Sequence, residues 1–413
     1  MALTVGSSVA SNLSTVIATA LLVRSLGTET FGRVAFISTA ASALSSFATA
    51  GLALYIIRSI SMVTHHPETE RTSAAEVTAA SLCGQLIAAC IAALLILYGY
   101  WVQRDLGPGG FALAALALPF ITADALAKNK LIGHQHIGAL SLVTVLGTLI
   151  LVGMQLAGAL AFGPLGYLVG FLLGSVFQCG CSQLACRVTI STVQPRPTWQ
   201  ELRDSLSSKA FKSFVVPATL AASMVPVAHW CANLIAVNKA ARYSDVAILT
   251  VAMQFFNMVV FLPTVLNKII LPWTIRKYST SDSADNKAHT RRQALLTFLL
   301  TCPAPLVLWL LSGPISSLYR FSDASSMHVV YCFVAAGILA STSIAISNYL
   351  VSSEKMALGL TINALWTVTY LGLALLMPGG AIAVGWGLML AYAASLGLAL
   401  YLLATHRSHD GSQ

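Results

Sequence analysis

The residues able to do chemistry are few, and most stand inside or at the ends of long apolar runs. Arg24 and Arg33 bracket the polar turn Arg24-Ser25-Leu26-Gly27-Thr28-Glu29-Thr30-Phe31-Gly32-Arg33, and Arg58 closes the apolar run that follows. An arginine facing a polar cavity grips a diphosphate or an acidic sugar through bidentate hydrogen bonds. One that snorkels to the headgroups only anchors its helix. Asp124 precedes Lys128 by one helical turn, a spacing that suits an intramembrane ion pair or a protonatable carboxylate that couples an ion to transport. Pro217 and Pro226 share one run with His229 and Asn233. Two prolines there remove backbone hydrogen bonds and bend the helix, so they read as gating positions. His229 reads as a packed, neutral core histidine or as a proton or substrate site.

Gln254 and Asn257 lie three apart on the next run, ahead of Pro263 and Lys268. A polar stripe of that kind is costly toward lipid and belongs on the inside of a bundle. Asn363 adds a further internal polar point, which an interhelical hydrogen bond explains as well as a substrate contact does. The cavity candidates are therefore Arg24, Arg58, His229, Asn233, Gln254, Asn257, Lys268 and Asn363. Asp124 is the ion-coupling candidate, and Pro217, Pro226 and Pro263 are the kink candidates. No metal and no cofactor is expected. Cys179, Cys181 and Cys186 sit inside a span without zinc-type partners and read as small-residue packing.

The elements that must position these residues follow from composition. The chain of 413 residues is 57% hydrophobic and only 9% charged, with a mean hydropathy of +0.79, whereas a soluble domain carries about 25% charge. Apolar runs recur at 7–23, 34–57, 77–99, 111–127, 139–161, 164–186, 214–238, 246–270, 293–312, 327–350, 356–376 and 381–404. Each is the length of a bilayer-crossing helix. With the N-terminus placed in the cytoplasm, 17 of the 23 lysines and arginines fall on the cytoplasmic side. That asymmetry is what the positive-inside rule gives for twelve spans with both termini cytoplasmic. It also accounts for the net charge of +9 without any nucleic-acid partner.

The fold expected is therefore an all-α polytopic membrane protein of about twelve transmembrane helices. The longest polar stretch inside it divides the chain into an N-terminal six-helix bundle (1–190), a cytoplasmic linker loop (191–213) and a C-terminal six-helix bundle (214–413). Weak echoes relate the halves: Gly163-Pro164-Leu165-Gly166 opens the sixth run and Pro378-Gly379-Gly380-Ala381 the twelfth. Six helices between equivalent points imply a parallel pseudo-two-fold repeat around a central cavity. Gly170 and Gly174 form a small-xxx-small pair that signals close helix packing. No nucleotide-binding, zinc-protease, serine-hydrolase or dinucleotide motif is present, so transport would be secondary or driven by the substrate's own gradient.

Arg24-x-Leu26-Gly27...Phe31-Gly32 resembles the first inter-helix turn of the oligosaccharide flippases of the multidrug/oligosaccharidyl-lipid/polysaccharide exporter superfamily. Gly51-Leu52...Arg58 is similar to the end of their second helix, and Tyr243-Ser244-Asp245-Val246-Ala247...Leu262-Pro263...Leu271-Pro272 to their span-eight region. Asn363 and the Pro378-Gly379-Gly380-Ala381 turn also fit, while Gln254 stands where members often carry a basic residue. The resemblance implies translocation of an undecaprenyl-diphosphate-linked oligosaccharide, an O-antigen or exopolysaccharide repeat unit, across a bacterial inner membrane by alternating access. It implies membrane lipids, a polysaccharide polymerase and a chain-length regulator as partners, no cofactor, and a coupling ion left open among H⁺, Na⁺ and Cl⁻. The rival readings are an ion-coupled drug exporter of the same superfamily and, behind it, a membrane glycosyltransferase or polymerase. The lipid II flippase also resembles the chain but needs two further spans.

Overall fold

Inside hydrocarbon every backbone N–H and C=O must be paired within the protein, so apolar runs of this length become helices. The computed structural model describes residues 2–63, 70–102, 107–190, 198–280, 283–321, 324–352 and 356–405. Residues 191–197 of the expected linker lie outside that description, as do the side chains of some helical positions, Arg58 and Lys268 among them. Among the described residues the elements are α1 (Ala2–Leu26), α2 (Thr28–Val63), α3 (Glu70–Val102), α4 (Gly107–Gly133), α5 (Ile137–Thr189), α6 (Trp199–Ser207) and α7 (Lys209–Ala240). They continue with α8 (Ser244–Thr280), α9 (Ser283–Thr301), α10 (Ala304–Leu310), α11 (Ser312–Tyr319), α12 (Ala324–Ser352), α13 (Met356–Leu376) and α14 (Ala381–Thr405).

Among the described residues, ten helical stretches are long and apolar enough to cross a bilayer. One of them, α5, is 53 residues long, about 80 Å if straight, against a hydrocarbon core of about 30 Å. It folds back at Gly163, whose φ of 65° and ψ of −145° lie outside the helical region and favour a residue without Cβ. Pro164 then starts the second arm. The arms pack backbone to backbone: a Cβ at Gly170 would overlap the Met154 carbonyl, and one at Gly174 would meet Leu151 at 2.8 Å. Counting the arms of α5 separately, and adding the shorter apolar stretch Ser11–Leu26 of α1, gives the twelve crossings that the sequence predicts.

Two boundaries differ from expectation. The turn around Arg24 is almost entirely helical, broken only at Gly27 with φ 79°. Its N–H closes α1 on the Val23 carbonyl, and its own carbonyl accepts from Phe31, so α2 starts six residues earlier than 34. The ninth crossing is not one helix. Pro303 cannot donate into the preceding turn, so α9 stops and α10 begins there, and α11 ends on Arg320 in the left-handed region at φ 53°.

The chain forms two compact units, Met1–Trp230 and Cys231–Gln413, with the division inside α7. In the first unit α4 is the hub, packed on α2, α3 and α5. In the second α12 has that place, packed on α8, α9 and α14. Numbered as crossings within its own half, each hub is the fourth, and its neighbours are the second, third and sixth. That shared order is the internal signature of a parallel repeat. Lipid tails are as apolar as leucine, so close packing rather than water exclusion holds such helices together. Accordingly the buried faces are rich in small residues: Ala40, Ala41 and Ala48 on α2, Ala114, Ala115 and Ala117 on α4, and Ala336 on α12 are fully buried.

Candidate functional site

The first unit holds a polar cluster where α4 meets the second arm of α5. Asp124 is 8% exposed. Lys128 Nζ lies 2.7 Å from Asp124 Oδ2, and the Ser182 hydroxyl donates to Oδ1. One helical turn farther along, the Cys186 thiol donates to the Ala127 carbonyl at 3.2 Å. Both carboxylate oxygens are thus engaged, one by a cation and one by a hydroxyl. A proton or sodium ion arriving here has Lys128 to displace.

Glu76 on α3, which the sequence reading passed over, accepts from the Ser59 hydroxyl of α2 at 2.6 Å. Also missed was a hydroxyl face on α2. Thr39, Ser42, Ser46 and Thr49 are spaced 3, 4 and 3 apart, so they share one side of the helix. Each donates to a carbonyl of its own helix: Thr39 to Ala35 at 2.7 Å, Ser42 to Ser38 at 3.0 Å, Ser46 to Ala43 at 2.5 Å and Thr49 to Ser45 at 3.0 Å. With the donor spent internally, each oxygen keeps acceptor capacity for an outside hydroxyl. The signal in the sequence was the Ser/Thr spacing, hidden by the low polarity of these residue types.

Arg24 is exposed in the last turn of α1, and Arg33 Nε lies 3.8 Å from Glu29. On α7, Pro217 is exposed, and Pro226 and His229 are half-buried. Trp230 stacks on Phe36 (6.1 Å, 29°) and meets Tyr98 edge-on (6.4 Å, 74°). Its buried indole N–H has no acceptor among the described residues.

In the second unit Asn233 is half-buried on α7, and Gln254 on α8 accepts from the Tyr319 hydroxyl at 3.4 Å. Asn257, three residues on, is exposed, and Pro263 is buried. Asn363 is half-buried on α13, one turn before the aromatic group of Trp366, Tyr370 and Tyr392. At one end of this unit Asp245 is 2% exposed. It accepts from the Ala381 N–H at 2.7 Å, at the start of α14, and from Arg242 Nε at 2.9 Å. Lys239 Nζ donates to the Leu375 and Met377 carbonyls at 2.5 and 2.7 Å. A carboxylate thus faces a helix N-terminus and an ammonium a helix C-terminus, both favourable to the helix dipoles. Two motifs noticed separately in the sequence, Tyr243-Ser244-Asp245 and Pro378-Gly379-Gly380-Ala381, are the two halves of this junction. The site candidates divide accordingly. Arg24, Arg58, Asp124, Pro217, Pro226 and His229 belong to the first unit; Asn233, Gln254, Asn257, Pro263, Lys268 and Asn363 belong to the second.

No family model matches the chain. Among solved structures it is similar to a multidrug resistance MATE family transporter of the MOP superfamily in its inward-facing conformation. That match has a TM-score of 0.75 and 15% identity over 95% of this chain and 94% of that one. It is equally similar to the lipid II flippase MurJ in an inward closed conformation, with a TM-score of 0.75 and 13% identity over 98% of this chain and 88% of that one. The chain has the fold that these solved structures share. In sequence the chain is similar to the EPS I polysaccharide export inner membrane protein EpsE. The identity is 26% with the Ralstonia nicotianae protein over 74% of this chain and 69% of the relative. It is 23% with the Ralstonia solanacearum protein over 94% and 89%.

Proposed function

We propose that the chain flips an undecaprenyl-diphosphate-linked oligosaccharide from the inner to the outer leaflet of a bacterial inner membrane, with both termini cytoplasmic. The observation that carries this reading is the end-to-end likeness to a polysaccharide export inner membrane protein, on a fold that a lipid II flippase also has. Physical chemistry supports it. A sugar headgroup with a diphosphate cannot enter hydrocarbon without replacements for its water. Hydroxyl oxygens such as those of Thr39, Ser42, Ser46 and Thr49 replace some of those bonds without adding charge. Arg24 and Arg58 are the cations proposed to meet the diphosphate, and alternating access of the two repeats moves the headgroup while the polyprenyl tail stays in lipid.

The second reading is an ion-coupled exporter of small molecules, favoured by a carboxylate buried among transmembrane helices at Asp124. The closed ion pair to Lys128 argues for a structural use of that carboxylate instead. The test is reconstitution in liposomes, with movement of a lipid-linked oligosaccharide followed by an impermeant reagent. Wild type should flip well above empty vesicles, and Arg24→Ala and Arg58→Ala should each slow flipping about tenfold, the rate equivalent of 1.4 kcal/mol. Flipping no faster than in empty vesicles, with drug efflux intact, would install the exporter reading.

A further inference from the structure

Helix α6 stands apart from the crossings. It is short, polar on one side, and packed against α3. A reciprocal cap fixes its start: the Thr198 N–H donates to Glu201 at 2.7 Å and the Glu201 N–H to the Thr198 hydroxyl at 3.4 Å. Its far end breaks at Ser208 (φ −59°, ψ 139°), whose hydroxyl accepts from the Phe211 N–H in the first turn of α7 at 3.1 Å. Between α3 and α6 lies a groove of about 450 Å³ lined by Leu82, Leu86, Leu202 and Leu206 together with Arg203 and Trp199. Cys83 and Leu206 also pack on the core around Leu52, Tyr55 and Ile56, so the groove floor is anchored to the fold.

Three features specify what fills it. Leu86 and Leu82 are 68% and 44% exposed, which inside a bilayer offers them to hydrocarbon chains. Trp199 is 77% exposed, the placement of an aromatic residue at headgroup level. Arg203 is exposed and has no ion pair among the described residues. An apolar slot lined by an exposed guanidinium and an exposed tryptophan matches a molecule with a hydrocarbon tail and an anionic phosphate. We propose that this groove binds one anionic phospholipid of the surrounding bilayer, an acyl chain along Leu82, Leu86 and Leu206 and the phosphate on Arg203. Because a single residue, Ser208, joins α6 to α7, the bound lipid braces the start of α7. The site is independent of the transported substrate.

Native mass spectrometry of the full chain, offered phosphatidylglycerol or phosphatidylcholine of the same acyl composition, tests this directly. Wild type should retain one phosphatidylglycerol in preference to phosphatidylcholine. Arg203→Gln should lower that retention about fivefold, the ratio that about 1 kcal/mol per basic side chain at a membrane surface gives. Ser207→Trp, which fills the groove and keeps the guanidinium, should abolish it. Equal retention of the two lipids, or a preference unchanged in both variants, would overturn the proposal. So would undecaprenyl phosphate displacing phosphatidylglycerol at equimolar concentration, since the groove would then belong to the polyprenyl substrate.

Discussion

Asp124 shows how little freedom a single charge has inside this fold. Lys128 and Ser182 hold it from two helices, so removing one partner leaves an uncompensated buried carboxylate. Lys128→Ala should cost about 3 kcal/mol of stability, read as a lowered melting temperature in detergent. The double variant Asp124→Ala/Lys128→Ala should recover most of that loss. At the α4–α5 turn, His134 stacks with His136 at 6.3 Å. Burial, and then the neighbouring His136, push the His134 imidazole below its ordinary value of 6.5. The unfolded chain therefore binds the proton more readily, so this stability is full above pH 6.5 and falls as the pH drops below it. A melting profile between pH 8 and pH 5 should show the decline, and His134→Gln should flatten it. The sequence spacing made the Asp124–Lys128 pair legible. It could not reveal Ser182, 58 positions away, or Glu76 with Ser59, because nothing local links residues that meet only through helix packing.

Among the elements, α5 carries the sharpest expectation. Its arms touch through glycine, so Gly170→Leu should prevent recovery of monodisperse protein, whereas Gly153→Leu, which meets nothing within 4 Å, should be tolerated in a size-exclusion profile. The junction of α13 and α14 is the second. Asp245→Ala leaves the Ala381 N–H without its acceptor and should cost about 2 kcal/mol, while Asp245→Asn, still an acceptor, should cost less. Unfolding monitored by the fluorescence of Trp366 and Trp386 in that unit measures both. Most crossings were legible because apolar length alone dictates them. What was not legible came from backbone chemistry at single positions. Gly27 shortened a ten-residue turn to one residue, and Pro303 broke a crossing that hydropathy reads as continuous. The helix α6 was hidden because nine amphipathic residues carry no sustained apolar signal.

Across the whole molecule, the recurrence of one packing order in both units is the strongest architectural fact. Each unit builds on its fourth crossing and surrounds it with the second, third and sixth, so a similar scaffold serves two different sets of side chains. That difference explains why the candidate site was the least legible part. The repeat constrains where helices go, not which face carries Gln254 in one unit or the hydroxyls of α2 in the other. The flipping measurement on Arg24→Ala and Arg58→Ala belongs to this scale, because it asks whether cations near the ends of α1 and α2 serve a process that involves the entire chain. A defect in both variants with unchanged melting would separate that role from scaffolding.

The hairpin of α5 has a consequence for how the protein is made. From Ile137 to Cys186 there is no Lys, Arg, Asp or Glu, so the connection at Gly163 offers the insertion machinery no charge by which to orient either arm. The arms must enter the bilayer as a pair, their direction set by Lys128 and Lys130 before them and Arg187 after. Biogenesis of the first unit therefore depends on three cations that flank the hairpin, one of which, Lys128, goes on to hold Asp124 in the finished fold.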